Sequence, residues 1–275
     1  MKTKTKLKVS SGFTPQIRSR HPSHNVLRGT LGRFPIRSVV RFGSTTQLTN
    51  DGKKRIEINS IKAISNSSSK LKMKNCFTEA GVKTADWWIT KDGKIFSSMK
   101  TASESKTINN LPYPIIAKGI FGSRGQANTK IDNPQNLSNW LKNKDLSNYI
   151  FEAFFDGSRE YRFHVSTLGV FLTWRKLRRN DTPDNQRWFF NNQNCNWVSE
   201  QHELYNKPAT YNEICKECLK ALNSVGLDLG GCDVRVNKKG DFKIIEINSA
   251  CSLAEVTATA YKKELAKLIT NKINN

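Results

Sequence analysis

The clearest pattern of apolar and polar positions lies near the C-terminal end of the chain. Two apolar runs flank a turn with glycine at residues 238–241, which predicts an antiparallel hairpin. Either a two-residue loop or a symmetric four-residue loop there pairs Asp233 with Glu246. Because side chains alternate with a period of two, Asp233, Glu246 and Asn248 should then share one face.

The rest of the chain mixes helical and strand patterns, which indicates an α+β fold. Apolar residues at helical spacing predict amphipathic helices, and short apolar or alternating runs predict strands. The predicted helices cover residues 70–81, 132–143, 211–226 and 257–272. The predicted strands cover residues 38–43, 113–118, 149–154, 160–165 and 170–175.

The strand at residues 160–165 has clean alternation. Glu160, Arg162 and His164 fall on one face, and the three residues that alternate with them are apolar or aromatic. A sheet with one face on the core and one polar face produces this pattern. We therefore expect a charged face beside a core face, with His164 as a hydrogen-bonded sheet residue rather than a catalyst.

Composition bounds the class of protein. The chain has 275 residues, of which 37% are hydrophobic, enough for a core. No apolar run reaches the length of a membrane span, and the charged N-terminus lacks the apolar segment of a signal peptide. Six scattered cysteines are typical of reduced thiols. We expect a cytoplasmic protein with no membrane partner, and the oligomeric state stays open.

Positive charge is concentrated at the N-terminal end. The formal net charge is +22, and residues 1–56 supply +12 of it, with 13 Lys and Arg residues against one acid, Asp51. Residues 1–30 contain few apolar positions, and we interpret residues 1–37 as a flexible basic arm. Such a charge favours polyanions, including nucleic acid, but does not by itself demonstrate nucleic-acid binding.

The predicted hairpin raises an electrostatic problem. Two carboxylates that face each other across a ladder repel, so Asp233 and Glu246 need a cation between them. Two carboxylates with the amide oxygen of Asn248 suit Mg²⁺, a hard cation that often shares its ligands with nucleotide phosphates. The alternative is a solvated hairpin whose acids bind no metal.

A second candidate site follows the predicted strand at residues 113–118. Lys118 ends this strand, and a loop with three glycines and Arg124 follows it. Glycines let backbone N–H groups approach an anion, while Lys118 and Arg124 would neutralise its charge. The loop is not a Walker motif, since no Gly-Lys-Ser/Thr follows. The alternative is an ordinary glycine-rich hairpin turn.

In their order along the chain, these motifs resemble the ATP-grasp superfamily, and most closely its virus-borne and ribosomal-protein glutamate ligase-like members. The motifs are Lys118 with its glycine loop, residues 152–155, residues 160–162, residues 231–233 and residues 246–248. The resemblance covers residues 38–270 and implies an ATP-grasp fold. A virus-borne protein would act in the host cytoplasm.

The resemblance leaves the basic arm at residues 1–37 unexplained and implies that the rest of the chain has three parts. These are a small N-terminal α/β region at residues 38–65, and two α+β subdomains that grip a nucleotide at residues 66–148 and 149–275.

The resemblance also implies how ATP would be bound. Lys70 and Lys118 would contact the phosphates. Glu152 and Phe154 would form the hinge segment that reads the adenine edge, mainly through backbone groups. Glu160 would hold the ribose hydroxyls.

The resemblance assigns further residues to the metal and the reacting phosphate. The ligands of Mg²⁺, or of Mn²⁺, would be Asp233, Glu246 and Asn248. The residues facing the γ-phosphate or an acyl-phosphate intermediate would be Arg175, Arg178 and, more loosely, Asn191.

The implied chemistry is ATP-dependent ligation. A carboxylate of a small molecule or protein attacks the γ-phosphate, and an amine then displaces phosphate from the acyl phosphate to form an amide. Positioning and charge neutralisation would suffice without a protein nucleophile, so we interpret Cys251 as an unactivated thiol. Residues 249–252 replace the Pro-Gly usual after the last metal ligand, which bears on the acceptor side.

A competing hypothesis starts from the basic arm. A nucleic-acid-binding or nucleic-acid-modifying protein could be built on the same scaffold, with residues 1–30 capturing the polyanion. The retained Asp233, Glu246 and Asn248 favour the enzyme, because a scaffold without activity need not keep them.

Overall fold

The fold is described by a computed structural model. It covers residues 13–19, 21–34, 36–48, 52, 55–91, 94–97, 105–106, 111–122, 128–142 and 144–274. Within these residues there are six α-helices and fourteen β-strands, and the strands form three sheets. The predicted α+β class is confirmed. No helix of the described part is long and apolar enough to cross a bilayer.

The N-terminal unit is a three-stranded parallel sheet in the order β1-β2-β3. Its elements are β1 (Gln16–Arg18), α1 (His24–Thr30), β2 (Ser38–Arg41) and β3 (Ile56–Ile58). Parallel strands need a crossover connection, and α1 lies in the one between β1 and β2. The C-terminal helix α6 (Glu255–Asn274) shares an apolar core with this unit.

The interpretation of residues 1–37 as a flexible arm is wrong for residues 13–19 and 21–34. Leu27 of α1 is completely buried and belongs to one core with Tyr261 and Leu265 of α6. That core joins the two ends of the chain, so the local scarcity of apolar residues did not reveal it. Residues 1–12 lie outside the described part.

The middle of the chain forms an antiparallel sheet in the order β6-β5-β4-β9-β7-β8, together with three helices. The first elements are α2 (Ile61–Ser68), α3 (Lys70–Ala80), β4 (Trp87–Lys91), β5 (Lys94–Ser97) and β6 (Ser105–Lys106). The others are β7 (Ile115–Gly119), β8 (Asn128–Ile131), α4 (Pro134–Leu141) and β9 (Tyr149–Ala153).

Helix α3 lies between the middle sheet and the C-terminal part of the chain. Ser69 caps its first turn, and Gly81 ends it in the left-handed conformation at φ 64°. On one side Met73 and Phe77 belong to the core under the C-terminal sheet, while Leu71 packs against the middle sheet. The predicted subdomain boundary at residue 66 falls inside α2, and the helix that follows contacts both halves.

The C-terminal part is a five-stranded antiparallel sheet in the order β12-β11-β10-β13-β14. Its elements are β10 (Arg159–Ser166), β11 (Gly169–Arg178), β12 (Cys195–Ser199), α5 (Tyr211–Val225), β13 (Leu229–Val236) and β14 (Phe242–Asn248). Tyr161, Phe163 and Val165 are fully buried in the core that includes α5, so the alternation predicted for β10 is confirmed.

Asp233 lies opposite Glu246 as predicted, but a different turn produces this pairing. Val236 pairs with Phe242, so five residues connect the strands rather than two or four. If the strands paired regularly beyond this five-residue loop, Asp233 would lie opposite Ile245. A β-bulge shifts the register by one residue at this point and returns Glu246 to Asp233.

Candidate functional site

A cavity of about 550 Å³ lies between the six-stranded and five-stranded sheets. Most of the residues singled out in the sequence meet there, although they come from widely separated elements. The predicted residues that line it are Lys70, Lys118, Glu152, Phe154, Glu160, Asn191, Asp233, Glu246 and Asn248.

One wall of the cavity holds Glu152 between two lysines. The Nζ atoms of Lys118 and Lys74 lie 2.7 Å and 3.2 Å from its two carboxylate oxygens. Burial by itself would raise the pKa of Glu152, but the two ammonium groups lower it below its ordinary value. Burial is also the main reason that the pKa of Lys74 falls to about 8. Sequence analysis did not identify Lys74.

Lys70 connects helix α3 to the glycine-rich loop. Its Nζ donates to the carbonyl oxygen of Gly122 at 3.1 Å, and its backbone N–H donates to Ile120 at 2.9 Å. Burial lowers the pKa of Lys70, an effect that the charge of Glu246 partly opposes. The rest of the predicted phosphate loop, residues 123–127 with Arg124, lies outside the described residues.

The opposite wall carries a network of alternating charges. Glu160 accepts hydrogen bonds from Lys176 at 2.5 Å and from Arg235 at 2.8 Å. Asp233 accepts two from Arg162, at 2.7 and 2.8 Å, and lies 3.5 Å from Lys176. Cross-strand register explains these contacts, since Arg162 pairs with Asp233 and Glu160 pairs with Lys176. Burial would raise the pKa of Asp233, but Arg162 and Lys176 hold it well below its usual range.

The residues expected to bind a metal lie together on the hairpin. Asp233 and Glu246 are directly opposite, and Asn248 Nδ2 donates to Glu246 at 3.0 Å. Two carboxylates and an amide oxygen are hard ligands that fit Mg²⁺. Arg162 occupies only part of the acceptor capacity of Asp233, because each carboxylate oxygen has two lone pairs. Within the described residues no three His, Cys, Asp or Glu side chains cluster for a metal, so this set depends on the amide.

The assignment of Arg175 to the γ-phosphate is wrong. Arg175 pairs with Tyr161, whose side chain lies on the core face of the sheet, and its guanidinium donates to the carbonyl oxygen of Leu204 at 2.7 Å. Its neighbour Lys176 points into the cavity instead. Adjacent residues of a strand face opposite sides, so only one of the two can contact the cleft.

Arg178 lies on the cleft face but does not line the cavity. Its guanidinium stacks 4.1 Å from the ring centroid of Phe190, and Arg235 lies 5.3 Å from the same ring. Phe190 and Asn191 do line the cavity. Arg178 therefore contacts Phe190, which lines the cavity, and does not reach the cavity itself.

Two segments without a predicted role also line the cavity. One is the aromatic run at residues 188–190, and the other comes from the N-terminal unit with His21 and Phe42, whose rings meet edge to face at 5.6 Å. Gly43 lies so close to the segment after Asn248 that a Cβ there would be 2.9 Å from Ala250. No local motif marks these residues, because chain folding alone brings them to the cleft.

His164 and Cys251 have structural surroundings. His164 Nδ1 lies 2.8 Å from the hydroxyl of Tyr261, and burial lowers its pKa to about 3. Burial raises the pKa of Cys251 to about 11, so its thiol is protonated at neutral pH. All six cysteines are free. The prediction that His164 is a hydrogen-bonded sheet residue is confirmed.

Comparison with known proteins identifies the fold. No protein-family model matches the chain, and no curated protein matches its sequence. A D-alanine–D-alanine ligase from Bacillus anthracis complexed with ATP matches with a TM-score of 0.63, over 94% of this chain and 95% of that one, at 14% identity. An N5-carboxyaminoimidazole synthetase from Staphylococcus aureus complexed with ADP matches with a TM-score of 0.56, over 78% and 54%, at 18% identity.

A third structure has the same architecture. The ATP-grasp ligase PsnB complexed with minimal precursor matches with a TM-score of 0.53, over 78% of this chain and 64% of that one, at 15% identity. The chain spans about half the length of the carboxyaminoimidazole synthetase. It has the ATP-grasp fold, so the predicted resemblance is confirmed at the level of the fold. The closer likeness to virus-borne and ribosomal-protein glutamate ligase-like members stays a prediction.

Proposed function

We propose that the protein is an ATP-dependent carboxylate–amine ligase. The observation that carries this proposal is the convergence, in one cavity of an ATP-grasp fold, of two lysines, a buried carboxylate network and a set of oxygen ligands on one hairpin. The similar structures with bound ATP or ADP support a nucleotide as the ligand. The gripping halves would be residues 66–148 and 149–275.

The charge of the cavity favours a polyphosphate. Five cationic side chains and four carboxylates line it, and Glu152, Glu160 and Asp233 already form ion pairs. With the buried Lys74 behind Glu152, cations exceed acids, and this excess attracts an anion. Lys70 and Lys118 are the groups proposed to contact the phosphates.

The rest of the nucleotide would lie along the same cavity. Glu160 would accept hydrogen bonds from the ribose hydroxyls. The backbone around Glu152 and Phe154 would read the adenine edge. The neighbouring aromatic residues 188–190 supply flat apolar surface for a base to stack on.

The hairpin would hold the metal. Asp233, Glu246 and Asn248 are the proposed ligands of Mg²⁺ or Mn²⁺. These residues would hold the ion, and its positive charge would help to neutralise the charge of the phosphates. Arg162 and Lys176 already compensate Asp233, so the site keeps its geometry through fixed ion pairs.

The proposed reaction forms one amide bond for each ATP. An oxygen of the substrate carboxylate bonds to the γ-phosphorus while the bond to the ADP oxygen breaks. The amine nitrogen then bonds to the acyl carbon, phosphate leaves, and the amine loses a proton to solvent or phosphate. Lys70, Lys118 and Lys176 would hold the negative charge that accumulates on oxygen, which is catalysis by positioning and electrostatics.

The acceptor side would be formed by the end of the cavity beyond Asn248. Ala250 and Ser252 line it there, together with His21 and Phe42 of the N-terminal unit. The fold carries the class of chemistry and leaves the acid and the amine to be identified, whether small molecules or groups on a protein.

The decisive experiment traps the activated carboxylate. The protein is incubated with Mg-ATP, a panel of carboxylic acids and hydroxylamine, which captures an acyl phosphate as a hydroxamate. We expect hydroxamate and ADP to form together with at least one acid. Glu246→Gln should abolish both products, whereas Glu203→Gln, at an exposed position, should not.

Binding measurements separate the possible failures. Calorimetric titration with ADP and Mg²⁺ should give saturable binding even if the panel lacks the right acid. An absence of nucleotide binding in the wild-type protein would refute the proposal outright. Hydroxamate formation by Glu246→Gln at the wild-type rate would refute the metal assignment.

The competing candidate is a nucleic-acid-binding protein on the same scaffold, favoured by the +12 charge of residues 1–56. It predicts binding to single or double strands that weakens steeply as salt is raised and is weakened by deletion of residues 1–12, which carry four of those basic residues. Negligible affinity at about 50 mM salt, where phosphate contacts are strong, would exclude it.

A further inference from the structure

A second cavity, of about 530 Å³, lies in the N-terminal unit. It is lined by the beginnings of β1 and β2 and by residues from the segment between β2 and β3. Arg18, Arg37 and Arg55 all line it. None of the described residues that line it is acidic, so this part of its wall is strongly positive.

Two of the residues that line this cavity each carry a buried donor with no hydrogen-bond partner among the described residues. The donors are the hydroxyl of Ser38, a residue that is 3% exposed, and Nε of Arg18. An unpaired buried polar group costs about 1–3 kcal/mol, and native structures rarely leave one without a reason. Because both groups can donate, the partner that would satisfy them is an acceptor.

The arginines are held in place before any ligand arrives. The Arg37 guanidinium lies 5.0 Å from the ring centroid of Phe13, and an Arg18 terminal nitrogen donates to Gln16 at 3.4 Å. A guanidinium fixed by an aromatic ring keeps its N–H groups available and loses less conformational entropy on binding.

From these observations we infer that the second cavity is a binding site for a phosphate ester. A carboxylate carries one negative charge and offers two acceptor oxygens. A phosphate monoester carries about −1.5 to −2 and has three acceptor oxygens, which match several arginines and a hydroxyl at once. A cavity of about 530 Å³ is within the range of small-molecule sites and exceeds what a lone phosphate fills, so the ligand is a phosphorylated molecule of sugar or nucleotide size.

The site is distinct from the ATP cleft and does not depend on the function proposed for it. Arg18 and Val39 line the second cavity, whereas His21 and Phe42 line the cleft. Along β2 and the residue that follows it, the three-residue step from Val39 to Phe42 spans roughly 10 Å. The N-terminal sheet therefore carries one cavity at each end of its strands.

The test is a calorimetric titration of the full chain with ribose 5-phosphate, which lacks a base and a polyphosphate. Ribose and inorganic phosphate serve as the two partial probes. We expect ribose 5-phosphate to bind best, inorganic phosphate to bind more weakly, and ribose not to bind. The double variant Arg18→Gln/Arg37→Gln should weaken binding by about tenfold or more, as expected when charge-assisted hydrogen bonds are lost.

A matched control removes the same charge elsewhere. Arg179 and Arg187 are both 46% exposed and face Asp181 and Asp184 outside either cavity, so Arg179→Gln/Arg187→Gln should keep wild-type affinity. The single variant Arg37→Gln, whose unfolding midpoint should match that of the wild type, covers the case in which the double variant does not fold.

Three results would overturn the inference. The first is no saturable binding of ribose 5-phosphate to the wild-type protein, and the second is an equal loss of affinity in the control pair. The third is unchanged affinity in the folded double variant or, if that variant does not fold, in Arg37→Gln.

Discussion

Glu152 is buried in the wall of the cleft, Lys74 is buried behind it, and their charges are interdependent. A lysine removed from water favours its neutral form, while an adjacent carboxylate favours the charged form. At Lys74 burial dominates, and its pKa falls from 10.5 to about 8. At Glu152 the two lysines dominate, and its pKa is lowered.

This arrangement predicts how stability depends on pH above neutrality. Between pH 8 and 10.5 the unfolded chain keeps a proton on Lys74 that the folded chain has released, so the free energy of unfolding contributed by this group rises with pH. The full change corresponds to about 3 kcal/mol and is absent below pH 8, where both states are protonated. Urea unfolding of the wild type and of Lys74→Met across this range measures the difference.

Other groups that titrate in the same range are present in both proteins, so the difference in stability between the wild type and Lys74→Met isolates Lys74. The wild type should gain stability relative to Lys74→Met as the pH rises from 8 to 10. A difference that stays constant, or that shrinks, would contradict the lowered pKa of Lys74.

At the scale of elements, Asn59 joins the N-terminal sheet to the C-terminal sheet. Its side-chain oxygen accepts from the backbone N–H groups of Asp228 and Leu229 at 2.8 and 3.0 Å, and its side-chain nitrogen donates to the carbonyl oxygens of Arg41 and Leu229 at 3.2 and 3.0 Å. The residue is 1% exposed and has φ 64°, a conformation that Asn tolerates better than most residues.

Replacement of Asn59 by alanine should destabilise the protein by about 3–4 kcal/mol. The variant leaves four buried backbone groups without their partner and adds left-handed strain of about 1 kcal/mol. Asn59→Gly loses the same hydrogen bonds without that strain, so it should be about 1 kcal/mol more stable than Asn59→Ala. Denaturant unfolding of the three proteins measures both effects.

The glycine variant separates the two causes. If Asn59→Gly had the stability of the wild type, backbone conformation alone would explain the residue. The hydrogen bonds between β3 and the start of β13 would then contribute nothing measurable.

At the scale of the whole molecule, the cleft separates the six-stranded and five-stranded sheets, and α3 packs against both. A ligand that binds only this folded arrangement stabilises it by mass action, by about 2.7 kcal/mol at a hundredfold excess over its dissociation constant. We therefore expect Mg-ATP at that excess to raise the melting temperature by about 5 °C or more.

The same measurement tests the hairpin ligands without any turnover. ATP with a chelator should raise the melting temperature less than Mg-ATP does, because the oxygens of Asp233 and Glu246 then lack their cation. Glu246→Gln should lose this magnesium-dependent increment and keep the rest. An equal increment in the variant would place the metal elsewhere.

Several features of the cleft followed from the sequence alone. Alternation with a period of two placed Glu160 and Arg162 on one face of β10, since local backbone geometry dictates it. The order of the lysine, carboxylate and hairpin motifs indicated the ATP-grasp fold. Strand parity would also have separated Arg175 from Arg178, because residues three apart in a strand face opposite sides.

Other features were decided only by the tertiary structure. The turn of the hairpin has five residues, and a bulge at Ile245 was needed to bring Glu246 to Asp233. Burial of α1 against α6 fixes part of the predicted arm on the core and brings His21 to the wall of the cleft. Each of these depends on contacts between distant parts of the chain.

The physical reason for this division is the range of the interactions involved. Side-chain alternation and turn chemistry act over a few residues, so they can be read along the chain. The ion pairs of Lys74 with Glu152 and of Arg162 with Asp233 form only when separate elements exclude water together. The sequence by itself determined which groups the hairpin would present, and the tertiary structure decided which cations would meet them.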